Sequence, residues 1–245
     1  MFFNKTKLIY ASHLLKMLLG VTLLLLCAHI TLQYINWEVF YQQNGLAYEL
    51  ANRFDLDDES SVATWFSQLL FLAIGLGAAL AAYLQPSMPL RRLWQTIAAA
   101  GLLFSIDEGA GLHEFVLQSL HVLFYKDASP TSSNNAWLLV APFIFLAAGW
   151  LVWRMARLLP KRTILLFTAA IATFLVGAIG VDMLTSIVDR ETFLNQGVLT
   201  AVEETLELLA SVFVVYALAD YLETHHRLEL QSAFKQLGAR RPNSK

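Results

Sequence analysis

Positive charge is missing from the longest apolar stretches of this sequence. No Lys or Arg interrupts residues 93–113, 163–188 or 197–222. Charge of either sign is scarce: 15% of the 245 residues are charged and 57% are hydrophobic, whereas a soluble domain carries about a quarter charged residues. With a mean hydropathy of +0.53, an ordinary water-soluble domain is excluded. There is one cysteine, Cys27, which rules out an internal disulfide and a Cys₂ or Cys₄ metal centre. A net charge of −2 leaves no electrostatic footprint for nucleic acid. Glycine-rich nucleotide loops, the His-Glu-x-x-His zinc motif and the serine nucleophile elbow are all absent.

What is present is a series of apolar segments. Six are long enough to cross a bilayer, at about 17–35, 62–84, 93–113, 137–158, 163–188 and 197–222. The third has no Pro or turn cluster before Lys126 and can continue to about 125, with Gly109 and Gly111 able to loosen it. The first is longer than a signal-peptide core and reads as a retained span. The fold expected is an all-α, multi-pass membrane helix bundle in one domain, residues 1–222. An amphipathic tail follows at 223–245, lying along the inner surface.

Basic residues set the orientation. Lys5, Lys7 and Lys16 precede the first span, Arg91 and Arg92 follow the second, and Arg154, Arg157, Lys161 and Arg162 follow the fourth. The tail carries Arg227, Lys235, Arg240, Arg241 and Lys245, while the other connections hold Arg53, Lys126 and Arg190, one each. Both termini are therefore expected to be cytoplasmic, with the cell membrane as the location. Trp37, Trp65 and Trp137 fall at outer boundaries and Trp94 and Trp153 at inner ones, as interfacial anchors do. The long first outward connection contains NRFDLDDESS. Its bland reading is a solvated acidic loop with a short helix; its sharper one is a lid or cation funnel. Gly75, Gly77, Gly177 and Gly180 are read as close-packing positions between helices in lipid.

Acids lie inside or at the ends of the third, fifth and sixth segments, and no Lys or Arg lies within them. Asp107, Glu108 and Glu114 belong to the third, Asp182 and Asp189 to the fifth, and Glu203, Glu204 and Glu207 to the sixth. A charge in hydrocarbon has to be paired, hydrated, protonated or bound to a cation. The orientation puts all three groups in the outer half. Asp107 lies about 21 Å along its helix from Leu93, and Glu203 and Glu207 about 9 and 15 Å below the outer boundary, at 1.5 Å per residue. If the third helix continues, Asp107, Glu114 and His121 form one stripe, with Ser105 and Gln118 able to support it. His113, beside Glu114, adds an imidazole. His13, His29, His225 and His226 read as structural or interfacial.

Several carboxylates with one or two His suit Zn²⁺, Mn²⁺ or iron. Helix-bundle di-iron and di-manganese sites use four carboxylates and two His, although no Glu-x-x-His pair lies among these acids. The expected metal ligands are Asp107, His113, Glu114, Asp182, Glu203 and Glu207, with Glu108 and Glu204 as catalytic general bases. The expected activity is that of a metal-dependent membrane enzyme, a hydrolase or di-metal oxidase, acting on a lipid-like substrate drawn from the surrounding membrane lipid. A cation or proton transporter is the alternative, and a scaffold or partner subunit with protonated, hydrogen-bonded acids is the third reading.

Overall fold

The computed structural model describes residues 9–36, 45–124, 137–181, 184 and 193–229. The described chain is all helical, with no strand. Its elements are α1 (Ile9–Tyr34), α2 (Leu46–Arg53), α3 (Val62–Leu84), α4 (Met88–Ala110), α5 (Leu112–Phe124), α6 (Trp137–Leu158) and α7 (Lys161–Leu175). A π-helical stretch, Val176–Val181, continues α7, and α8 runs over Phe193–His225.

Among the described residues three helices are long and apolar enough to cross a membrane: Tyr10–Tyr34, Val62–Leu84 and Lys161–Val181. That is fewer than the six expected. The other expected spans are helical as well, as α4, α6 and α8. Large apolar side chains cover the outer surface: Leu24 is 71% exposed, Phe143 72% and Leu146 73%. Contiguous apolar surface on this scale marks a protein whose surroundings are themselves apolar.

The bundle is organised around two contacts. The first is the hairpin of α3 and α4, the most extensively packed helix pair among the described residues. Ser61 caps α3 by accepting a hydrogen bond from the Thr64 amide at 3.1 Å, and Pro89 starts α4 where its missing N–H is harmless. Gly75 and Gly101 bring the two backbones together: a Cβ on Gly101 would stand 2.7 Å from the Gly75 nitrogen. The second is α8, which packs on α1, α3, α7 and the π segment. Gly77 and Gly177 admit α8 side chains in the same way, since a Cβ there would meet Leu218 and Leu206. Gly180 does not: nothing lies within 4 Å of its would-be Cβ, so close packing is not its reason. α6 stands at the periphery, touching α4 and α7.

Two expectations are corrected. The third span does not continue as one helix. Gly111 takes a left-handed conformation, φ +56°, and ends α4 as a glycine C-cap does. Asp107 is thus on α4 while Glu114 and His121 are on α5, so no single-helix stripe joins them. Trp94 is not an interfacial anchor either. It is 0% exposed, with its ring 4.7 Å from Tyr221 and 6.3 Å from Phe167. Trp65 and Trp153 do stand exposed, and the Arg157 guanidinium lies 4.2 Å over the Trp153 ring.

Candidate carboxylate site

The acids of α4 and α8 meet. Glu108 from α4 and Glu204 and Glu207 from α8 line one cavity of about 60 Å³, room for roughly four waters. Glu204 and Glu207 are three apart on α8 and share a face. Three hydroxyls join them: Thr64 and Ser67, one turn apart on α3, and Ser211, one turn below Glu207 on α8. Leu56, Phe71, Phe174 and Leu208 supply the apolar part of the wall. The charges of Asp57 and Glu203 also reach Glu204, together with those of Glu207 and Glu108.

The π segment sets how closely α7 approaches this face. A Cβ on Gly177 would meet the Leu206 Cβ at 2.9 Å and the Glu203 carbonyl at 3.1 Å. Such wide turns inside helices frequently mark functional sites. Below Ser211 the interior becomes apolar, with Val212 at 0% exposure, Leu218 at 3% and Ala78 at 0%. The cavity therefore ends at a packed layer.

Of the expected metal ligands, Glu207 lines the cavity. Glu203 lies beside it, with its backbone carbonyl toward Gly177. Asp107, next to Glu108 on α4, is half-buried and not part of the wall. The side chains of His113 and Glu114, and the whole of Asp182 and Asp189, lie outside the described residues. Among the described residues no three His, Cys, Asp or Glu side chains surround a common point where a metal could sit. Both expected general bases, Glu108 and Glu204, line the cavity. Ser105 is not turned to the acids: its hydroxyl donates to the Gln68 carbonyl at 3.0 Å and ties α4 to α3. Gln118 is exposed.

Sequence reasoning passed over the wall's hydroxyls, and it left the acidic loop between a solvated loop and a lid. Leu56, in the connection from α2 to α3, is 5% exposed and forms part of the wall. Its amide donates to Nδ1 of His29 on α1 at 3.1 Å. The same Nδ1 is 3.3 Å from Oδ1 of Asp55, whose Oδ2 accepts from Gln33 Nε2 at 2.6 Å. Burial raises the Asp55 pKa, but the neighbouring His29 imidazole and the Asp57 and Leu56 amides outweigh it and hold the carboxyl below its ordinary value. His29 is 3% exposed, and its Nε2 is buried with no hydrogen-bond partner among the described residues.

A second polar cluster lies at the opposite end of the bundle. Arg162 donates through Nε and Nη2 to the two oxygens of Asp220, at 2.9 and 2.7 Å. Gln85 Nε2 donates to the Tyr221 hydroxyl at 2.7 Å and stands 2.7 Å from His226 Nε2. This cluster is packed, and it joins the ends of α7 and α8 to the turn between α3 and α4.

Residues 16–221 match one family model, described as a domain of unknown function, DUF8692. No curated protein and no solved structure matches the chain.

Proposed function

The chain belongs to the DUF8692 family, and from its site we propose an integral membrane protein that binds a divalent cation in its carboxylate cavity and uses it on a lipid-like substrate. The proposal includes six spans, cytoplasmic termini and a place in the cell membrane, on the strength of the alternating basic connections. The observation that carries it is the make-up of the wall: three carboxylates and three hydroxyls from three helices, with no Lys or Arg among the described lining residues. Several carboxylates that face one small cavity suit a bound cation.

The donor set fits a hard or borderline cation, because carboxylate and hydroxyl oxygens dominate it. Glu207, on the wall, would hold the ion with ligands proposed from sequence whose side chains lie outside the described residues, His113, Glu114 and Asp182. Zn²⁺, Mn²⁺ and iron are the candidates. Bound there, the ion supplies a Lewis acid beside the substrate. Glu108 and Glu204 share the cavity with Glu207 and are placed to hold or move a proton there.

A second reading is favoured by one measurement. A cavity of about 60 Å³ admits an ion with water but not an acyl chain, which supports a cation or proton transporter. Metal analysis of the purified protein comes first. Stoichiometric metal that is lost in Glu207→Gln and Glu114→Gln supports the cation site, whereas fully stable, metal-free protein sinks it. Turnover of membrane lipids by the loaded protein then favours the enzyme. Gradient-driven cation flux in liposomes without lipid turnover favours the transporter.

A further inference from the structure

We propose that the connection between α2 and α3, residues 54–61, is a lid over the carboxylate cavity and that His29 of α1 is the positioning residue that latches it. The inference rests on the cavity being the working site, and it concerns how that site is entered.

The connection is fastened on two sides. On one side α1 holds it twice. His29 accepts the Leu56 amide at 3.1 Å, and Gln33 donates to Asp55 at 2.6 Å. His29 and Gln33 are four apart, so they share a helix face. On the other side Glu59 lies against the corner between α4 and α5: a Cβ on Gly111 would stand 2.9 Å from Glu59 Oε2. Between these fastenings the Leu56 side chain forms part of the cavity wall. The strap thus runs from α1, across the acids, to the α4–α5 corner.

The chain here can move as a unit. No residue from Phe54 to Ser61 is helical, so lifting it unwinds no helix. Its base is fixed to the start of α3, where the Thr64 hydroxyl donates to the Asp58 carbonyl at 2.7 Å and the Ser61 amide to the same carbonyl at 3.1 Å. Removing the α1 fastenings frees the Leu56 end while the Ser61 end stays anchored. His29 itself does not line the cavity. A helix outside the cavity thereby governs a residue of its wall, through one backbone hydrogen bond. That bond needs an unprotonated Nδ1, since a protonated ring nitrogen cannot accept.

The test reads access to the cavity directly. Cys27 is exposed, so it is replaced by Ser, and Ser67→Cys puts a thiol in the wall. The detergent-purified protein is treated with a charged methanethiosulfonate reagent. Labelling is expected to be slow in this parent and faster by roughly five- to tenfold in His29→Ala, the value of one lost hydrogen bond in an opening equilibrium. His29→Asn offers Oδ1 where Nδ1 stood and restores slow labelling. Gln33→Leu, which frees Asp55 alone, gives a smaller acceleration and decides the matter if His29→Ala does not fold. Parental rates in His29→Ala or Gln33→Leu, or His29→Asn as fast as His29→Ala, overturn the latch. Labelling does not depend on metal. Lost cation binding with this labelling pattern intact would sink the cation reading and leave the lid standing.

Discussion

Asp220 is 1% exposed and takes both prongs of the Arg162 guanidinium. Removing the cation strands a buried carboxylate, so Arg162→Ala should destabilise the protein by on the order of 3 kcal/mol. Arg162→Lys keeps the charge, loses the fork and should cost less. Thermal unfolding in detergent checks both. His226, in the adjoining cluster, is depressed below the usual His range, chiefly by burial, with His225 adding to the effect and Glu229 opposing it. The unfolded chain therefore takes up the proton first. Stability from this group is complete above about pH 6.5 and falls as the pH drops through that value. The melting temperature should decline from pH 7 to pH 5, and His226→Gln should flatten the decline. The eight acids singled out from the sequence were legible because charge stands out against apolar runs. Their partners were not. Arg162 and Asp220 are 58 residues apart, and Leu56 is 27 from His29, so neither pairing leaves a local pattern.

Two helices of the bundle, Val62–Leu84 and Trp137–Leu158, have the boundaries that the apolar runs imply. A Pro or a polar turn flanks such runs and stops the helix where the hydrophobicity stops. The break at Gly111 was harder to read, because apolar residues continue across it and the left-handed φ leaves no trace in hydropathy. The α3–α4 contact is a matter of backbone proximity. Gly101→Ala would put a methyl 2.7 Å from the Gly75 nitrogen and force the pair apart, at about 1–3 kcal/mol. Gly20→Ala, with nothing within 4 Å, should be neutral or slightly stabilising, since alanine is the better helix former. Unfolding both variants beside the parent separates packing from propensity.

For the whole molecule, sequence anticipated the helical class. Of the three spans whose acids were expected to converge, two, α4 and α8, bring acids to one cavity, and the acids of the fifth lie outside the described residues. Glu108, Glu204 and Glu207 do share one cavity. Sequence could not anticipate the floor. The floor is made by small and branched residues such as Ala78 and Val212, both 0% exposed, which look like any other apolar positions until α3 and α8 are packed. Over the cavity lies a loop whose acidic letters allowed both a solvated loop and a lid, and its one leucine turns inward. On the proposed membrane placement, the packed floor is where an electric field across the bilayer would drop, leaving the acids nearly at the potential of the solution beyond that loop. Cation uptake there would then scarcely respond to voltage.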